Sequence, residues 1–466
     1  MSNRRGARAG EPSSIADEGQ PEHSPGVRKV LLVNGWSDDN KGDAAIVQGF
    51  QVLMGGAAKR RGFELNLGIV SNFSKESEDF GYHYRHSKRM FKGGIFGAVI
   101  PTNLRTASGG ALGKSLRRSA QLLTSLVALA VPRSSMIQGW LSPFQAETLE
   151  QFRQASMVVS KGGHIYATTG SPLSLVGLYS NLYPLLLAQR LGIPTGIYAQ
   201  SVGPVIGGPH RRLLASALAR CKFVYVREEP SLDYVRALLP GNSSTKPELV
   251  WDTAFAVGEE PLPPGVISLL PSEFVAVTVR QWRFPYSPSQ DRDALYARYL
   301  EALATVIRRL VTDLGVPVVV VPQVIGPTEL ENDLLAGEQL AKVLAGLEGV
   351  QFLTTDFTAG QLRQLYSRAS MLIGTRFHSV ILALASLTPA IAISYHGFKT
   401  QGIMRMLDLS DHVLDIGELS PDELWSRVKS AYEARGEYRA TLETQMPAVM
   451  RAAAAEADRA ITSLAS

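Results

Sequence analysis

Ile373-Gly374-Thr375-Arg376-Phe377-His378-Ser379, followed by Tyr395-His396-Gly397-Phe398-Lys399, decides how this chain is read. A short apolar run at 371–373 leads into an Arg-x-His pair. A helix-like segment comes next, and a second apolar run at 389–394 ends on Tyr395 and Lys399. Short apolar runs with polar tips, separated by a helix, predict parallel strands buried on both faces. Two such strand ends present a guanidinium, an imidazole and an ammonium at the sheet edge where open α/β folds bind ligands. Arg and Lys suit a phosphate or carboxylate, and His moves protons near neutral pH. The plainer alternative is a solvated strand-end cluster with no ligand.

The same rhythm repeats upstream. Residues 27–33 read as a strand, ending in Asn34-Gly35-Trp36-Ser37-Asp38-Asp39-Asn40-Lys41-Gly42-Asp43 before a helix over 44–61. Such a turn aims backbone N–H groups at the ligand edge. Asn40 lies in it, and Asp43 either caps the helix or faces the cleft as a base. The turn has neither G-x-G-x-x-G nor the Lys-Ser/Thr ending of a P-loop, so it predicts no dinucleotide or ATP site. Further strands are expected at 65–71, 155–160, 194–200 and 223–227, with helices at 173–191 and 230–239. Lys161-Gly162-Gly163-His164 follows one of them, and two glycines there let backbone approach a ligand closely. His164 reads either as a site residue or as a capping histidine. Ser201-Val202-Gly203-Pro204 and Arg227 mark two more tips.

Residues 258–268, rich in Pro, read as a linker. Beyond it the pattern restarts at 274–279, tipped by Arg280, and continues through 317–321 and 350–353 to the opening motif. Helices are expected at 291–314, 329–347, 359–369, 422–434 and 439–464. The organisation expected is therefore α/β, with two doubly wound Rossmann-like domains at 27–257 and 269–430, a closing helical segment at 431–466, and a cleft between the domains.

The chain has 466 residues, 45% of them apolar, and mean hydropathy +0.02, which suits a large two-domain core. A single cysteine, Cys221, rules out an intramolecular disulfide and a cysteine-based zinc cluster, as befits a reducing cytoplasm. Residues 1–26 lack an apolar core, so they read as a disordered tail rather than a signal peptide. Net charge is +5, yet residues 81–140 carry nine Lys or Arg (Arg85, Lys88, Arg89, Lys92, Arg105, Lys114, Arg117, Arg118, Arg133) and no acid. With an amphipathic helix expected over 116–131, this block predicts either peripheral contact with an anionic membrane at its inner face or an anionic acceptor site. The acidic remainder and the lack of a nucleic-acid module argue against nucleic-acid binding.

Taken in order, Asn40-Lys41-Gly42-Asp43, Lys161-Gly162-Gly163, Ser201-Val202-Gly203-Pro204, Arg227 with Ser231, and Trp251-Asp252-Thr253-Ala254-Phe255 form a series. With the two opening motifs, that series resembles the polysaccharide pyruvyl transferase family over residues 29–409. His164 departs from it, standing where the family often has a third glycine. The resemblance implies a GT-B-like fold and transfer of pyruvate from phosphoenolpyruvate to a glycan or lipid-linked saccharide, leaving a cyclic ketal and free phosphate. It gives Arg376, Lys399, Arg227 and, more weakly, Arg280 the phosphate and carboxylate, with Gly162, Gly163, His164, Asn40 and Tyr395 completing the substrate site. His378 becomes the general acid and Asp43 a base for an acceptor hydroxyl. Cationic neighbours should lower the His378 pKa. No metal or cofactor is expected. A GT-B nucleotide-sugar glycosyltransferase and a non-catalytic, anion-binding membrane scaffold are the alternatives.

Overall fold

Val30, Leu31, Leu32 and Val33 are fully buried, so the first strand has to be covered on both faces. The computed structural model, which describes residues 26–100, 111–285, 291–395 and 398–463, shows how. The first domain runs β1 (Gly26–Gly35), α1 (Lys41–Arg60), β2 (Phe63–Ser71), β3 (Ile95–Phe96), α2 (Ala111–Ala130), α3 (Pro143–Gln154) and β4 (Met157–Ser160). It continues through β5 (Gly163–Thr168), α4 (Pro172–Arg190), β6 (Thr195–Val205), α5 (Gly208–Leu218), β7 (Phe223–Val226), α6 (Glu229–Leu238) and β8 (Pro247–Leu249). All pairings are parallel, in the order β3-β2-β1-β4-β6-β7-β8, with β5 pairing β6 outside this path. Leu31 and Val33 pack with α4, α5 and α6, whereas Val30 and Leu32 pack with α1.

A connection containing α7 (Pro264–Ile267) leads to the second domain. This comprises β9 (Val275–Thr278), α8 (Arg292–Leu314), β10 (Val318–Val320), α9 (Asp333–Val343), β11 (Val350–Phe352), α10 (Ala359–Ser367) and β12 (Met371–Gly374). Then come α11 (Phe377–Ala385), β13 (Ala390–Ser394), α12 (Lys399–Met406), β14 (Val413–Asp415) and α13 (Pro421–Glu433), and finally α14 (Arg435–Thr462). Its parallel order, β11-β10-β9-β12-β13-β14, is the doubly wound 3-2-1-4-5-6 arrangement.

Two features join the domains. α14 packs Leu442, Met446 and Val449 into the second domain's core, then Ala453, Ala457 and Ile461 into the first's. Ala45 and Ile46, in the first turns of α1, are buried in the same cluster as α10 and α11. The start of α1 is thereby wedged against the second domain, a position that matters for the site.

Several expectations need correction. β6 does not stop at Gln200. It runs through Ser201-Val202-Gly203-Pro204 to Val205, because β5, a strand the sequence reading does not include, supplies a partner for its extension. The helix expected over 329–347 breaks at Asn332, which caps α9 by accepting from the Leu334 N–H. α3, α5, α12 and β14 were not anticipated. Within the basic block, three cations are engaged by the fold itself. Arg85 bonds Asp39 at 2.7 Å and, across the domain boundary, Asp356 at 2.7 Å. Lys92 pairs with Glu64 at 3.3 Å, and Arg133 donates to the Leu191 carbonyl at 2.7 Å. Residues 1–25, Arg105, His396 and Gly397 lie outside the described residues, as do the side chains of Lys114, Arg117 and Arg118.

Candidate active site

Both sheets point their strand C-termini into one inter-domain cleft of about 530 Å³. The first domain contributes Asn34 and Trp36 after β1, Asn40 and Asp43 at the start of α1, Lys161, Gly163 and His164 after β4, and Arg227 after β7. The second contributes Arg280 and Trp282 after β9, Arg376 and His378 after β12, and Tyr395 and Lys399 after β13. Of the residues predicted from the sequence, only Gly162 is absent from the walls. A Cβ there would stand 2.7 Å from the Ala199 carbonyl oxygen, so packing against β6 requires the glycine, not a ligand.

The cations fall into two kinds. Arg376 is held by Asp333, its Nε at 3.0 Å and Nη2 at 2.6 Å from Oδ1. Asp333, fully buried, also accepts the N–H groups of Gln323 (3.1 Å) and Val324 (2.8 Å). Arg376 is thus a fixed guanidinium, with Nη1 outside these contacts. Arg227 is likewise committed, donating to Asp252 (2.6 Å), Ser201 (2.9 Å) and the Gly163 carbonyl (3.1 Å). It belongs to the cleft's wall more than to its free charge. Arg280 and Lys399 have no carboxylate ion pair among the described residues. Arg280 is only 8% exposed, stacked 3.9 Å from the Tyr395 ring centroid and 4.6 Å from that of Trp282. Burial and the Arg376 charge both pull its pKa down. A buried cation without a counter-ion is costly unless a ligand anion supplies one.

His378 stands on the first turn of α11, its Nε2 3.7 Å from Asp252 Oδ2. Burial raises the Asp252 pKa, but Arg227 and His378 outweigh it and hold the carboxyl well below its usual range. Arg227, Asp252 and His378 therefore form a buried chain ending at the imidazole. Burial is the main reason the His378 pKa is lowered. Asp252 opposes that, while Arg227 and Lys399 add to it, so the cations next to it in sequence are not the main cause. On the other side of the ring lies Gly42 in α1, where a Cβ would stand 2.5 Å from His378 Nδ1.

Asp43 pairs with the buried Lys161, which also donates to the Gly162 carbonyl at 3.2 Å. Asp43 does not cap α1. Asn40 does, its Oδ1 accepting from Gly42 N (3.1 Å) and Asp43 N (3.2 Å), which commits that oxygen to the helix. His164 bonds the Gly203 carbonyl through Nε2 at 2.7 Å, which puts the proton on Nε2, and burial lowers its pKa. Across the cleft from Asp43, Glu331 has its pKa raised by burial and by Asp43, against the pull of Arg376. Burial would raise the Tyr395 phenol too. Lys399, Arg280 and Arg376 overcome it and lower the pKa to about 7.

Asp252, Asp333, Lys161, Gly42 and Glu331 were not predicted as site residues. Lys161, Gly42 and Asp252 lie inside motifs quoted above, so an acid or base beside a strand tip was the available signal. Asp333 and Glu331 sit in an acidic helix start, which has no such signal.

Cationic and titratable side chains from both domains therefore meet at the two sheets' switch points. Among the described residues, no group of three or more His, Cys, Asp or Glu side chains could hold a metal ion. Comparison with known proteins bears on the chemistry and the fold separately. The amylovoran biosynthesis protein AmsJ of Erwinia amylovora is 23% identical over 418 residues, covering 87% of this chain and 92% of that protein. UDP-GlcNAc 2-epimerase from Neisseria meningitidis bound to UDP-GlcNAc superposes with a TM-score of 0.53 at 12% identity, over 93% of this chain and 99% of its own. Arabidopsis thaliana UGT89C1 complexed with UDP-L-rhamnose gives 0.52 at 11%, over 94% and 98%. These structural likenesses show a GT-B-like fold. The family model for polysaccharide pyruvyl transferase matches residues 64–397, and the chain belongs to that family.

Proposed function

We propose that the protein transfers the pyruvyl group of phosphoenolpyruvate to two hydroxyls of a glycan, forming a cyclic ketal and releasing phosphate. The observation that carries this reading is the set of cations on one wall: fixed Arg376, with Arg280 and Lys399 lacking a carboxylate partner among the described residues. A small ligand bearing both a phosphate and a carboxylate would supply the missing counter-charges.

In the reaction the enol carbon gains a proton, two sugar oxygens bond the former C2, and the C–O bond to phosphate breaks. Two hydroxyl protons are given up, one balancing the new methyl hydrogen and the other leaving with phosphate. His378, oriented by Asp252, is the proton donor to carbon. Its lowered pKa makes it a poor proton carrier until the donor's negative charges enter and raise it. Asp43, beside Lys161 on the facing wall, takes a hydroxyl proton from the acceptor. The reaction draws on no metal or bound cofactor.

The test supplies carbon-labelled phosphoenolpyruvate together with UDP- and GDP-sugars and an acceptor glycan. Label in an acid-labile ketal with equimolar phosphate release supports the proposal. Incorporation only from a nucleotide sugar overturns it in favour of a glycosyltransferase.

We also propose peripheral membrane contact through α2. Leu123 and Leu126 are more than half exposed on one face of that helix, with Trp140 59% exposed nearby in sequence. No helix of the described residues is long and apolar enough to cross a membrane. Flotation with anionic liposomes at low salt tests the contact, and failure to float removes it.

A further inference from the structure

Beside the catalytic cleft lies a second inter-domain groove of about 390 Å³, which the reaction above does not use. The two share their walls. Trp36 lines the cleft and Phe73 the groove, and their rings lie 4.8 Å apart. Trp282 faces the cleft and the next residue, Arg283, the groove. Val324 and Glu331 face the cleft, while Thr328 and Glu329 between them face the groove. The groove is therefore an immediate neighbour of the cleft, separated from it by one shared wall.

The chemistry of the groove differs from that of the cleft. Its walls carry one guanidinium, Arg283, and two carboxylates, Glu329 and Asp79, the latter already accepting from Ser77 and paired with His83 at 3.4 Å, while Thr328 donates to Glu331 at 3.3 Å. A donor with phosphate and carboxylate groups would gain little beside two carboxylates, and the cations of the cleft hold it instead. An uncharged polyhydroxylated ring suits the groove. Its hydroxyls donate to Glu329 and to the remaining lone pairs of Asp79, and accept from Arg283. The volume falls in the range of small-ligand sites.

We propose that this groove is an acceptor subsite seating the uncharged sugar next to the one that receives the pyruvyl group, so that the acceptor is read over at least two sugars. The proposal rests on the pyruvyl-transfer reading for the identity of the neighbouring sugar, but its binding readout does not.

The experiment is titration calorimetry of the full chain with mono-, di- and trisaccharides released by mild acid from the host's own polysaccharide. The wild type is compared with Ser77→Trp and Glu329→Trp, which fill the groove without touching the cleft. Glu329 is exposed, so its variant keeps the fold even if Ser77→Trp does not. The disaccharide is expected to bind at least tenfold more tightly than the monosaccharide. The variants are expected to lose that gain while monosaccharide affinity and the KM for phosphoenolpyruvate stay within twofold. Equal affinity for both chain lengths, or a gain that survives in the variants, overturns the subsite. A preserved chain-length gain with no phosphate released from phosphoenolpyruvate refutes pyruvyl transfer yet supports the groove as a glycan site.

Discussion

Replacing Gly42 by alanine places one methyl group against the imidazole of His378. The added Cβ would stand 2.5 Å from Nδ1, 2.8 Å from Cγ and 3.0 Å from Cβ of the histidine, against ordinary contacts of 3.4–4 Å. The ring has to retreat from α1 by about 1 Å. Misplacing a reacting group by about 1 Å costs roughly 10²-fold in rate, or about 2.7 kcal/mol of barrier. Gly42 is helical, so alanine is otherwise welcome and should add up to about 1 kcal/mol of helix stability. Crowding a packed ring costs about 1–3 kcal/mol, which the helix gain partly offsets, so the expected variant stays folded, keeps Arg280, Arg376 and Lys399 unchanged, and loses about 10²-fold in kcat. Steady-state phosphate release gives kcat and KM, and chemical denaturation gives stability. His378→Ala sets the floor of the effect. A Gly42→Ala enzyme within threefold of wild-type kcat refutes the idea that the wedge of α1 positions the histidine.

Asp252→Asn keeps the shape but removes the nearer of the two buried carboxylates beside Arg227, leaving Glu228 at 3.6 Å. Denaturation should show a loss of about 3 kcal/mol, with kcat falling more than KM. Tyr395 bears on substrate affinity. Its phenol is lowered to about 7, so the fraction ionised grows as pH rises through 7, and the phenolate opposes an incoming anion. The KM for phosphoenolpyruvate should therefore climb between pH 7 and 9 in wild type and stay flat in Tyr395→Phe. Stability at low pH tests the inter-domain latch, in which Asp356 accepts from Lys41 (2.5 Å), Arg85 (2.7 Å) and His86 (2.9 Å). Its carboxyl is depressed in the folded state, since those partners outweigh burial. Its contribution is complete above the unfolded value near about 3.9 and is lost as pH falls below that, so Asp356→Asn should flatten acid unfolding below about pH 4.

Most strand tips could be read from the sequence because each is a local pattern: an apolar run, then Gly or a polar residue. That is why Asp43, His164, Arg376, His378 and Lys399 were found, and why they meet in one cleft. What escaped depends on partners far along the chain. β6 outruns its apolar stretch only because β5 lies beside it. α12 hides in a mixed stretch, Lys-Thr-Gln-Gly-Ile-Met-Arg-Met, with no capping side chain to announce it.

The arginines show the limit most clearly, since each stands at a strand tip and nothing local says what will pair with it. In the fold, Arg227 lies 25 residues from its partner Asp252, and Arg376 lies 43 from Asp333. Both acids are themselves pinned by backbone N–H groups. These two arginines are anchored before any ligand arrives, one of them next to the histidine's own orienting acid. Arg280 is instead held by ring faces, which fix its plane without cancelling its charge. The weakest of the four cations on sequence grounds is therefore, with Lys399, one whose charge no carboxylate among the described residues pairs. Pairing rather than position along the chain sets that order.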